Sequence, residues 1–203
     1  MKKAIAVIGE GITEKYYIES LRGLSSFQIK PNSLDRKASS LAKLEESIQV
    51  SIREGYDEVY CLIDMDGKSD GITKTKYLTL KQKYHNKTHG KASKGIQCKV
   101  VFIESERCTE IWFLYHFLKN STTKKYNSYK ELENALHKYI PDYDKSEKYF
   151  KSIKKGLHNL LISKGNIEFA LKNSEDSVLS KEKDNRNYTF SEIHLFLKNI
   201  GIV

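Results

Sequence analysis

Apolar residues run in two short unbroken blocks near the front of the chain, Ala4-Ile5-Ala6-Val7-Ile8 and Val59-Tyr60-Cys61-Leu62-Ile63. Each block stops at acid and glycine: Gly9-Glu10-Gly11 after the first, Asp64-Met65-Asp66-Gly67 after the second. Such blocks are too short for an amphipathic helix, and their uniform apolar character suits strands buried on both faces, as in a parallel sheet. A third block, Cys98-Lys99-Val100-Val101-Phe102-Ile103, leads into Glu104-Ser105-Glu106, and residues 27–30 predict a short strand. Between the blocks the period changes. Thr13 and Glu14 open a helical stretch through Tyr17, Ile18 and Leu21, while Leu41, Leu44, Ile48 and Ile52 predict an amphipathic helix over residues 39–54, closed by Gly55. Strand, helix, strand, helix, strand is the order of an α/β fold with a mostly parallel sheet and right-handed crossovers.

Beyond Asp66 lies a lysine-dense region in which Leu78 and Leu80 are nearly the only large aliphatics, so a short helix and then a mobile loop over residues 87–95 are expected. Residues 110–118 are apolar nearly all round and predict a buried helix. From about residue 120 no further strand is expected. Ser128-x-x-Glu131 and Thr189-x-x-Glu192 have the form that caps a helix start, residues 149–161 predict one more helix, and the polar residues 173–187 predict an exposed loop. The chain therefore divides into a core over residues 1–120 and a helical region over residues 121–203 packed on it.

At 203 residues with 39% hydrophobic content, the chain is long enough to bury one sizeable core. No apolar run approaches the roughly 20 residues of a membrane span, and the N-terminal run is too short for a signal peptide. A cytoplasmic protein without membrane contact is expected. Three widely spaced cysteines suggest neither a disulfide framework nor a zinc ribbon, and read as core residues. The formal net charge of +9 favours a polyanionic partner.

The carboxyl edge of an open α/β sheet is where ligands bind. Asp64 and Asp66 point the same way if the strand continues that far, and two such charges repel unless one is protonated or a cation lies between them. Asp-x-Asp-Gly is also an ordinary turn after a strand. If the first two blocks are neighbouring strands, Glu10 joins the pair and three carboxylates converge. Gly9-Glu10-Gly11 lacks the third glycine of a dinucleotide loop and puts an acid where pyrophosphate would approach, which argues against a Rossmann cofactor site. His85 and His89 have the spacing of a zinc pair, but flanking lysines oppose a cation. The lysines themselves suit either a solvated surface or phosphate contacts. Glu110 fits the first turn of a helix, and His116 fits a core position.

Three ordered segments resemble a known family: Val7-Ile8-Gly9-Glu10-Gly11-Ile12-Thr13-Glu14-x-Tyr16-Tyr17, then Leu62-Ile63-Asp64-Met65-Asp66, then Ser105-x-x-x-x-Glu110-x-Trp112-x-x-x-His116-Phe117. They look like the RloB-like proteins, which include the AbiLii type of phage abortive-infection component and are similar in turn to the Toprim fold of topoisomerases, primases and overcoming-lysogenization-defect nucleases. Where that family commonly has Asn-Pro after the serine, this chain has Glu106-Arg107. The resemblance implies a Toprim-like core and a metal set of Glu10, Asp64 and Asp66 suited to Mg2+, with Mn2+ as a substitute. It further implies Glu10 as general acid or base, Lys68 stabilising charge on phosphorus, Glu110 as ligand or water-orienting group, and His116 as a support behind the site or a core residue. Lys68, Lys74, Lys76 and Ser105 are the expected substrate contacts. The implied activity is Mg2+-dependent phosphodiester hydrolysis of DNA or RNA in phage defence. A separate ATPase is the expected partner, because no P-loop is present. The alternatives are a non-catalytic module that binds nucleic acid or a partner, and another phosphoryl transfer.

Overall fold

The computed structural model describes residues 3–30, 40–68, 70–90, 95, 97–120, 124–184 and 188–203, with only the backbone of Lys30 and Asp184. Residues 39, 91–94 and 185–187, which fall within the expected helix and loops above, lie outside the described residues. In chain order the elements are β1 (Ile5–Gly9), α1 (Ile12–Ser20), β2 (Gln28–Lys30), α2 (Leu41–Arg53), β3 (Glu58–Asp64), α3 (Gly71–Tyr84), β4 (Lys87–His89) and β5 (Cys98–Glu106). There follow α4 (Glu110–Tyr115), α5 (Tyr129–Leu136), α6 (Glu147–Ser152), α7 (Leu157–Lys164), α8 (Ile167–Asp184), β6 (Phe190–Ser191) and α9 (Ile193–Asn199).

The fold is α/β, with a mostly parallel sheet flanked by helices. Strands run in the order β2-β1-β3-β5-β4, with β6 also pairing β5; the first four are parallel, while β4 and β6 are antiparallel to β5. Side chains alternate across the pleat, so β1, β3 and β5 each feed two cores. Val7, Tyr60, Leu62 and Ile103 face the larger core, shared with α1, α4 and the C-terminal helices. Ala6, Ile8, Val59, Cys61, Ile63 and Phe102 face the smaller one, covered by α2 through Leu44 and Ile48 and by α3 through Tyr77, Leu80 and Tyr84. Burial on both faces explains the continuous apolar blocks. All three cysteines are free and buried.

The structure departs from the expectations in the second half and in the lysine-rich region. Residues 87–89 form β4, because the antiparallel edge of β5 is open to them. The C-terminal region contributes a strand, β6, so Thr189 caps no helix: its hydroxyl accepts from Tyr126 N at 2.8 Å and its carbonyl from Tyr115 OH at 3.0 Å. The residues read as a polar loop over 173–187 lie largely within α8, whose inward face is polar but hydrogen-bonded. Asn173 Nδ2 donates to the carbonyls of Tyr115 and Leu118 at 3.0 and 2.7 Å, and Ser174 Oγ meets His194 Nδ1 at 2.7 Å. The single helix expected over 149–161 is broken into α6 and α7 at Gly156, whose φ of +77° favours glycine. Ser128 does cap α5, accepting from Glu131 N at 3.2 Å.

Candidate active site

β1 and β3 are adjacent and parallel, with Gly9 opposite Leu62, so Glu10 and Asp64 leave the sheet side by side at its carboxyl edge. A turn at Met65-Asp66-Gly67, with Gly67 at φ +70°, reverses the chain and returns Lys68 over that edge. Its ammonium donates to Glu10 Oε2 at 2.8 Å and to the Asp64 carbonyl at 2.7 Å. One cation thus spans both strand ends. β3 stops at Asp64, and Asp66 turns toward solvent: its carboxylate is 58% exposed and accepts from Arg107 Nη1 at 2.8 Å.

A second group of acids lies behind the first. Asp64 Oδ1 accepts from the backbone N–H and the hydroxyl of Thr109, at 2.8 and 3.0 Å. Glycines bring Glu14 here: a Cβ on Gly9 would fall 2.7 Å from Glu14 Cβ, and one on Gly11 would fall 3.0 Å from Glu14 Oε2. Only bare backbone lets the first turn of α1 sit this close to the strand end. Glu110, at the start of α4 and fully buried, accepts through Oε1 from Thr13 Oγ1 at 3.0 Å and Tyr143 OH at 2.9 Å. The same oxygen is 3.0 Å from the Lys145 ammonium. Glu14 Oε1 and Glu110 Oε2 are buried without a hydrogen-bond partner.

Charge is unevenly shared among these acids. Burial raises Asp64 well above the usual carboxylate range, and Glu14 and Glu110 push it the same way. Burial also raises Glu14, with Glu110 adding to the effect. For Glu110 burial acts in the same direction, but the Lys145 ammonium leads the opposing interactions and holds it below the ordinary value. Burial pushes Glu10 up to about 6 against the pull of Lys68.

Among the described residues, no three side chains of His, Cys, Asp or Glu form a ready-made metal centre. The donor set nevertheless fits Mg2+ in kind: it consists of buried carboxylate oxygens, two of them unpartnered, at a sheet edge. Lysine ammonium groups sit among these oxygens, Lys68 at Glu10 and Lys145 at Glu110.

The structure thus gathers Glu10, Asp64 and Lys68, sets Asp66 at the rim, and groups Glu110 with Glu14 and Asp64. Lys74 and Lys76 lie on the exposed surface of α3. Ser105 is buried opposite Asp64 in the β3–β5 register, its hydroxyl 3.0 Å from that of Ser191. His116 is fully buried, with Nδ1 3.0 Å from the Trp112 carbonyl and Nε2 unpartnered. The expectations passed over Glu14 as a site residue, together with Thr109, Tyr143 and Lys145. Glu14 carried one usable signal, an acid four residues after Glu10 beside two glycines; Tyr143 and Lys145 carried none, lying far along the chain in a turn.

No curated protein and no solved structure gives a significant match to this chain. The family model described as RloB-like protein matches residues 5–200, nearly the full length. It spans the acid edge and every C-terminal element that supports it, and the chain belongs to the RloB-like family.

Proposed function

We propose that this protein is a divalent-metal-dependent nuclease that hydrolyses phosphodiester bonds in DNA or RNA, acting in phage defence alongside a separate ATPase. The observation that carries the reading is the Lys68 ammonium, which bridges Glu10 and the end of β3 and so marks the spot where one cation reaches both. Glu10, Asp64, Glu14 and Glu110 are the residues that would hold Mg2+ or Mn2+, with Asp66 entering from the rim. A bound divalent ion supplies charge neutralisation on the phosphate and a more acidic water. Glu10, raised toward neutrality by burial, is suited to carry a proton to or from the reacting oxygens. Lys68 is placed to meet negative charge developing on phosphorus. The net charge of +9 and the exposed Lys74 and Lys76 on α3, which starts just after the Asp66 turn, suit a nucleic-acid backbone leading to the edge. The family's likeness to Toprim enzymes agrees with an acid set at this position.

A second reading is a module that binds nucleic acid without cutting it, favoured by the two lysines that neutralise the acids without a metal. Mixed single- and double-stranded DNA and RNA, incubated with the protein and Mg2+ or Mn2+, separate the two. The nuclease reading expects products whose formation falls at least about hundredfold in Asp64→Asn and Glu10→Gln, with folding and binding retained. Binding with no product under either metal would establish the module instead.

A further inference from the structure

Lys145 reaches the acid group from the segment between α5 and α6, far from the strands that carry the acids. Its ammonium stands 3.0 Å from Glu110 Oε1, and its side chain is only 34% exposed. The same ammonium lies 5.1 Å from the Tyr129 ring centroid, a cation–π contact that helps hold it at the edge of the acid group. The charge of Lys145 is felt by every acid in the group: Glu110, Glu14 and Asp64 all act on it. Three buried carboxylates facing one another are unstable without a counter-charge, and a lysine is the cation the chain itself can supply. It fills that role incompletely. An ammonium has three donors on one centre, and Glu14 Oε1 and Glu110 Oε2 are left without any.

We infer that Lys145, paired directly with Glu110, is a tethered counter-ion for the acid group of Asp64, Glu14 and Glu110, and that metal binding there requires its displacement. The inference rests on the metal-dependent reading above and adds a regulator to it. The helical C-terminal portion, through the segment that carries Lys145, sets how readily the acid group accepts metal. A site held by an internal competitor shows an apparent affinity lowered by the fraction of time it is occupied. Anything that draws residues 143–145 away from the sheet edge, such as a docked partner or a bound nucleic-acid strand, therefore raises metal affinity.

The test is Mn2+ binding to the full chain, read from the electron paramagnetic resonance signal of the free ion, for the wild type, Lys145→Gln and Asp64→Asn. The expected result is tighter binding by Lys145→Gln, by about tenfold or more, and loss of binding in Asp64→Asn. In parallel, acetylation of lysines in the wild type is followed by mass spectrometry with and without saturating Mn2+. Lys145 is expected to become several-fold more reactive with metal, while Lys130, 71% exposed, keeps its rate and serves as the control. This second measurement decides the matter if Lys145→Gln does not fold. Binding that depends on Asp64 but is equal or weaker in Lys145→Gln, or Lys145 reactivity that metal leaves unchanged, overturns the counter-ion role and leaves the metal reading standing. Failure of every form to bind Mn2+ removes the metal reading, and the counter-ion role falls with it.

Discussion

Glu10 and Glu110 are both buried acids clasped by a lysine at nearly the same distance, 2.8 Å to Lys68 and 3.0 Å to Lys145, yet their proton affinities move in opposite directions. Burial is the largest influence on each, and in both it favours the neutral form. The difference lies in the charges and donors around each carboxylate. Glu10 receives one side-chain hydrogen bond, from Lys68, whereas a single oxygen of Glu110 faces Thr13, Tyr143 and Lys145. At Glu110 the Lys145 ammonium, helped by Cys108 and a backbone N–H, outweighs desolvation, whereas at Glu10 the pull of Lys68 does not, and the Glu14 charge pushes further the other way. The consequence is a division of labour: Glu110 is a fixed anion, and Glu10 a carboxylate poised to exchange a proton.

Removing the fixed anion has the largest expected effect. Glu110→Ala leaves the Thr13 and Tyr143 hydroxyls without their acceptor and Lys145 without its partner, and should cost about 3 kcal/mol of stability in urea denaturation. A loss below about 1 kcal/mol would mean that the donors around Glu110 do not act as a unit. Gly9→Ala comes next. Its new methyl would meet Glu14 Cβ at 2.7 Å, so the start of α1 must shift, at a cost of about 2 kcal/mol. If its thermal unfolding midpoint matches the wild type, the close seating of α1 on β1 is not what holds Glu14 in place.

Glu10 should behave differently from Glu110, and pH exposes the contrast. Its folded value of about 6 lies above the ordinary 4.5, so the folded state binds the proton more tightly than the unfolded chain. The stability this contributes is present below pH 4.5 and is lost as pH rises through about 6, a swing of about 2 kcal/mol without divalent ions. Glu10→Gln should remove that part of the pH profile while costing little at neutral pH; an unchanged profile would show that another group titrates there. Tyr143→Phe is the mildest change. Deleting one donor to Glu110 should cost about 1 kcal/mol at neutral pH, measured by denaturation. The cost should shrink in the Glu110→Gln background, because the bond lost there is no longer to a charge.

Local pattern was enough to place the strands and the acids that end them. Blocks of five apolar residues between turn signals specify buried parallel strands whose carboxyl ends share one edge, while the adjacency of β1 and β3 that sets Glu10 beside Asp64 comes from the sheet order. The same reasoning carried less well past residue 120. In α8 the buried face past Ala170 is made of Asn173, Ser174 and Ser177, whose hydrogen bonds replace the apolar periodicity on which a helix assignment depends. β6 is only two residues long and exists because β5 offers an unpaired edge.

By itself, then, the amino-acid order determined the α/β layering, the acidic rim and a basic chain around it, since each follows from periodicity or from turn chemistry within a few residues. Tertiary structure alone decided that Asp66 turns away to Arg107, that Glu14 and Glu110 stand behind Asp64, and that Lys145 answers their charge. Those partners are tens of residues apart, and no local preference encodes a contact whose energy appears only after the sheet and its covering helices have closed around it.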